Sequence, residues 1–110
     1  MEETKFIRYV GDSPVSRILD FLIIGRDFDY SLSDIARNSG VSWTTLYRVW
    51  PQLVENKIII PTRVIGKAKL FRLNSQNEVV RNLVILYKTI LKAETNISSR
   101  KLKKMERIVA

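Results

Sequence analysis

The run from Leu32 to Leu53, LSDIARNSGVSWTTLYRVWPQL, constrains the fold more than any other part of the chain. Gly40 stands where two helical patterns meet. A helix that ends in a sharp turn needs a left-handed residue, and glycine takes that conformation without a Cβ clash. Before it, Ile35 and Ala36 share an inward face, with Ser33 as N-cap. After it, Val41 plugs the turn into a core. Ser42 then caps a second helix expected from Trp43 to about Asn56, whose apolar stripe is Leu46, Val49, Trp50 and Leu53. The result is two short helices held at an angle, the second with a polar outer face. Pro51 lies inside that helix, deletes the bond to the Tyr47 carbonyl and costs about 3 kcal/mol if unrelieved, so a kink or change of pitch is expected near Tyr47.

The flanks extend the pattern. Ser13-Pro14 starts a helix over 14–24, with Val15, Ile18, Leu19, Leu22 and Ile23 at helical spacing and Gly25 as the stop. Residues 4–10 are apolar-rich but too short to classify. Residues 26–31 are a polar connection with a short strand expected near Tyr30. Ile58 to Ile60 and Val64-Ile65 read as strand, with Pro61 marking an irregularity or an edge. Gly66-Lys67 is a two-residue hairpin turn of type II′. The return strand carries Phe71 and Leu73 on one face and Leu70 and Arg72 on the other. A loop follows, capped by Ser75 or Asn77.

A helix over 78–93 then carries two adjacent apolar rows, Val79, Leu83, Leu86, Ile90 and Val80, Val84, Tyr87, Leu91. One small domain has little with which to cover both rows, so one of them is assigned to a second copy of the chain. The expected homodimer interface is Val80, Leu83, Val84, Tyr87, Ile90 and Leu91. The pattern breaks at 96–99. The basic tail over 94–110 is either a short amphipathic helix, with Leu102, Met105, Ile108 and Val109, or unstructured when free. The fold class is mainly α with a small β-hairpin, residues 1–93 forming one domain with its dimerisation helix at 78–93.

Composition narrows the chemistry. The 110 residues include no Cys and no His, which removes thiolate metal sites, disulfides, the usual general base and the commonest metal ligand. No metal or cofactor is expected, nor any enzymatic activity. Asp12, Asp20, Asp27 and Asp29 are read as loop and helix surface rather than as a metal cluster. No apolar run is long enough to span a membrane, and no leader-like segment opens the chain, so a cytoplasmic protein is expected. The net charge is +8. Residues 1–31 hold four cations and six acids, 32–74 hold seven and two, and 75–110 hold eight and three. The positive charge thus lies on the two-helix unit with its hairpin, and on the C-terminal third. A polyanion is the natural partner.

The stretches GDSPVSRILDFLI, YSLSDIARNSGVSWTTLYR, IGKAKLFRLN and NEVVRNLVILYKTIL are similar to the winged helix-turn-helix transcription regulators, most of all to small archaeal members with a MarR-like or ArsR-like domain. Ala36, Gly40, Val41 and Leu46 have the spacing of that unit, and Pro51 departs from it. The metal-sensing role of the ArsR branch does not carry over without Cys and His. The resemblance implies binding of double-stranded DNA by a homodimer, with the helix after Gly40 in the major groove and the hairpin alongside. Ser42, Thr44, Thr45, Tyr47, Arg48 and Gln52 then face DNA. Trp43 is placed toward the core by helical angle, and either packs there or touches the DNA backbone. Arg63, Lys67, Lys69 and Arg72 are the wing cations. Nothing in the residues marks an effector. Two rival readings remain, a winged-helix module that docks onto another protein and a non-specific architectural DNA-binding protein.

Overall fold

A computed structural model describes residues 3–109, with side chains for residues 3–93. The tail side chains over 94–110 therefore lie outside the described residues. The element order is α1 (Lys5–Val10), α2 (Pro14–Ile24), β1 (Tyr30–Ser31), α3 (Leu32–Ser39), α4 (Trp43–Glu55), β2 (Ile59–Ile65), β3 (Ala68–Leu73) and α5 (Glu78–Val109).

Local chemistry accounts for most helix ends. The Ser13 hydroxyl accepts from the Ser16 N–H at 3.0 Å, the Ser16 hydroxyl accepts from the Ser13 N–H at 2.8 Å, and Pro14 opens α2. Ser31, not Ser33, caps α3. Its hydroxyl accepts from the Asp34 N–H at 3.2 Å, so the last residue of β1 is also the first turn's cap. Gly40 ends α3 in the left-handed region at φ 69°. Thr4 caps α1, the helix that the sequence pattern was too short to reveal. Asn77 caps α5, its side-chain oxygen accepting from the Val79 N–H at 2.8 Å. Helix α4 runs through Pro51 as one element, with Trp50 and Leu53 buried on either side of it.

The end of α4 holds a non-glycine residue in an unfavourable conformation. The Ile58 N–H bonds back to the Leu53 carbonyl and the Lys57 N–H to the Val54 carbonyl, both at 3.0 Å. That is a Schellman motif, with buried Leu53 and Ile58 as its apolar contact. Lys57 fills the left-handed position at φ 56°. Replacing Lys57 with glycine removes the Cβ strain, partly offset by greater freedom in the unfolded chain. A gain of about 0.5–1 kcal/mol in urea-unfolding stability is expected.

The sheet order is β1-β3-β2, antiparallel throughout. Ile65 pairs with Ala68 across Gly66-Lys67. Gly66 has φ 61°, while Lys57 is the only non-glycine residue with positive φ among the described residues, which fits a type II′ turn. The register shifts between Pro61 and Arg63, where the proline interrupts the ladder. Because β3 is the central strand, Leu70 is buried as well as Phe71 and Leu73.

The core gathers Ile18, Leu22 and Ile23 of α2, Ile35 of α3, Leu46 and Trp50 of α4, Ile59 of β2 and Phe71 of β3. Each such aliphatic side chain contributes about 1.5–3 kcal/mol by leaving water. Trp50 meets Phe71 edge-on, with ring centroids 5.1 Å apart and planes at 83°. This contact fixes α4 against the sheet.

Helix α5 is packed differently from the expectation. Val80 and Ile90, assigned to the dimer interface, are only 1% and 3% exposed because the chain's own core covers them. Leu83, Val84 and Tyr87 are half-buried against the same core. Helix α1 packs on this row at Tyr87, whose ring lies 5.1 Å from that of Phe6. Among the described residues, the apolar side chains of α5 left exposed are Val79, Ile85, Leu86 and Leu91. The helix also continues past Ala93 to Val109, further than the 78–93 span read from the sequence.

Asp20 is a second correction. Read as helix surface, it is buried, and its Oδ1 accepts from the Tyr87 hydroxyl at 2.9 Å and from the Thr4 hydroxyl at 3.1 Å. Burial, and then the bond to Asp20, push the Tyr87 hydroxyl pKa well above its ordinary value.

Candidate nucleic-acid interface

The outer face of α4 follows from its inner one. With Leu46, Trp50 and Leu53 buried, the opposite face presents Thr44 and Arg48, flanked by Tyr47 and Gln52, all exposed, and Trp43 is exposed at the start of the helix. Among the described residues Arg48 forms no ion pair with an acid. Ser42 and Thr45 have a more local task. The Ser42 hydroxyl accepts from the Thr45 N–H at 3.2 Å and donates to the Thr45 hydroxyl at 2.9 Å, and Thr45 is half-buried. They form the helix cap, leaving Thr44 as the freely presented hydroxyl.

Trp43 is placed outward, not in the core. It is 45% exposed, and its ring stacks on that of Tyr47, itself 59% exposed, at 5.3 Å and 27°. Trp43 is the first residue of α4, and side chains of a helix lean toward its N-terminus. Its ring therefore lies beyond the end of the core, and the Tyr47 ring, leaning the same way from the next turn, stacks on it.

The wing cations separate into distinct environments. Lys67 sits in the exposed turn. Lys69 shares the strand face of Phe71, with its Nζ 5.8 Å from that ring's centroid. Since Phe71 is the side chain that Trp50 meets, Lys69 lies on the side of the hairpin that faces α4. Arg72 is on the other face. It lines a cavity of about 590 Å³ with Arg26, Asp27 and Arg81 around Val80, Val84 and Ile85.

Arg63 is engaged. Its Nε and Nη2 donate to the two carboxylate oxygens of Asp29 at 2.9 and 3.1 Å, and the Thr62 hydroxyl donates to Asp29 at 2.6 Å. The bidentate pair ties the wing to the loop before β1 and neutralises one wing cation. The Arg63 guanidinium first, and then the Thr62 hydroxyl, hold the Asp29 carboxyl down to about 2. Its folded-state pKa is thus below its unfolded value. The stabilisation it gives is complete above about pH 4 and is lost as pH falls toward 2. Sequence reasoning left Asp29 as loop surface, and no local signal joins residues 34 positions apart.

Two exposed apolar residues at the wing tip, Val64 and Ile65, were also read only as strand formers. Among the described residues no group of three or more acidic, His or Cys side chains is placed to hold a metal ion. No described helix is long and apolar enough to cross a membrane.

No family model matches this sequence, and no curated protein matches it either. Solved structures do resemble it. ZitR of Lactococcus lactis superimposes with a TM-score of 0.63 at 14% identity, over 79% of this chain and 68% of its own. MepR, a transcription regulator of the Staphylococcus aureus multidrug efflux pump MepA, gives 0.54 at 16% identity, over 96% and 85%. Sso10a-2, a DNA-binding protein from Sulfolobus solfataricus, gives 0.52 at 14% identity, over 82% and 90%. The fold is a winged helix-turn-helix.

Proposed function

We propose that this chain is a transcription regulator that binds double-stranded DNA as a homodimer. Helix α4 enters the major groove and the β2–β3 hairpin lies beside it, each protomer reading one half-site. The observation that carries the reading is the outer face of α4, where Arg48 and Thr44 are exposed and unburdened by the core, with Lys69 on the side of the hairpin toward that helix. The regulators and the DNA-binding protein whose structures superimpose on this chain support it. Helix α5 supplies the second copy's contact. Its exposed Val79, Ile85, Leu86 and Leu91 form the interface in place of the covered Val80 and Ile90.

Selection of bound sequences from a random duplex pool, with mass by light scattering, tests binding, specificity and symmetry together. A two-fold symmetric site and a dimeric mass are the expected result. Affinity for random duplex should fall steeply as salt rises, because each neutralised phosphate releases counterions. Weak binding at every salt concentration favours instead a protein-docking module, a reading to which the exposed Trp43–Tyr47 pair lends some weight, since such aromatics are enriched at protein interfaces.

Two substitutions bear on the wing. Lys67→Ala should weaken all sequences alike and lower the slope of log affinity against log salt by about 0.9. Asp29→Asn releases Arg63 and adds one positive charge. Binding should tighten at low salt, and the slope should steepen by a similar amount, in titrations followed by fluorescence anisotropy.

A further inference from the structure

The stacked rings of Trp43 and Tyr47 are exposed on the first half of α4, beside the face that carries Thr44 and Arg48. Nothing in the core accounts for their position, since Leu46, Trp50 and Leu53 already anchor the helix. Their stacking fixes two large side chains before any partner arrives, so their apolar surface is offered with little further loss of rotamer freedom. They stand on the first two turns of α4, the part of such a helix that reaches base edges. Arg48, next to Tyr47 in the sequence and exposed on the same helix, adds a positive charge to this part of α4, which matches a duplex and its phosphates.

The floor of the major groove is polar with one exception. Among the four bases, only thymine presents an apolar group there, its methyl. We propose that the Trp43–Tyr47 pair determines specificity by packing on thymine methyl groups, so that each half-site carries thymine opposite the first two turns of α4. The proposal rests on the DNA-binding reading and adds the base class to it.

The test uses duplexes that differ in that methyl alone. The full-length protein is titrated against alternating dA-dT and alternating dA-dU duplexes of equal length, and against alternating dG-dC with and without methylation of cytosine at the equivalent ring carbon. The expected result is tighter binding of dA-dT than dA-dU, by about fourfold for each methyl contacted. Methylated dG-dC should likewise bind better than the unmethylated duplex. Trp43→Ala and Tyr47→Ala, each checked for unchanged thermal unfolding, should abolish the difference while leaving the salt slope intact. Equal affinity for dA-dT and dA-dU overturns the proposal, as does a difference that survives both substitutions. Absence of binding to every duplex overturns the DNA-binding reading itself, and a thymine preference with it. A heterologous protein partner whose binding needs Trp43, with no methyl preference, also overturns it.

Discussion

Replacing Arg48 with alanine is expected to cost about 1–3 kcal/mol on the preferred duplex, a loss of roughly five- to 150-fold in affinity. The guanidinium stands on the exposed face of α4, one turn beyond Thr44. Its planar fork matches the O6 and N7 acceptors of guanine. A base contact of that kind is lost only on the sequence that presents it. Random duplex should therefore lose much less, and the preference should flatten at one position in each half-site. Anisotropy titrations of the wild type and the variant, on a selected duplex and on a scrambled one, separate the cases. Equal losses on both make Arg48 a phosphate contact. Arg48→Lys should not restore the preference, because a lysine has the charge but not the fork.

The contrast with the wing shows which parts of the site a sequence exposes. Arg48 is found by helical phase alone, because the buried stripe of Leu46, Trp50 and Leu53 fixes the outward direction within one helix. Gly40, Ser13, Ser42 and the Gly66 turn are equally local, since a cap or a tight turn needs a certain residue within three or four positions. Arg63 and Arg72 are the same residue type on neighbouring strands, yet they have different fates. One is held by Asp29 and the other faces the cavity beside α5. Those outcomes depend on which loop or helix the fold brings alongside, across separations that leave no periodic trace. Of the two positions open to Trp43 in the sequence, the core and the surface, helical angle alone does not choose the exposed one it takes. Helical angle describes the middle of a helix, and a first-turn side chain extends past the surface that the angle refers to. The burial of Val80 and Ile90 is hidden for the same reason as the fate of the wing arginines, since the covering residues are distant in sequence, and α1, which packs on α5 at Tyr87, is too short to show a pattern.

Removing one oxygen from Tyr87 should destabilise the fold more than neutralising its partner. Asp20 is 7% exposed as a residue, and one of its carboxylate oxygens receives both the Tyr87 and Thr4 hydroxyls. Hydrogen bonds to a buried charge contribute about 1.5–3 kcal/mol each, because the charge has given up its water and needs donors in return. Tyr87→Phe keeps the ring against Phe6 but leaves Asp20 with the Thr4 donor alone among those two. A loss of about 2 kcal/mol is expected, lowering the unfolding temperature by roughly 10 °C. Asp20→Asn behaves differently. The amide oxygen still accepts, and the desolvated charge is gone, so a loss below about 1 kcal/mol is expected. The double variant should cost less than the two single losses added together, since loss of the Tyr87 hydroxyl strands no charge once the carboxylate is an amide. Urea unfolding of the four proteins reads all three quantities. Additive losses, or a larger loss for Asp20→Asn than for Tyr87→Phe, mean that the carboxylate is hydrated in solution, and that this junction is not what joins α2 to α5.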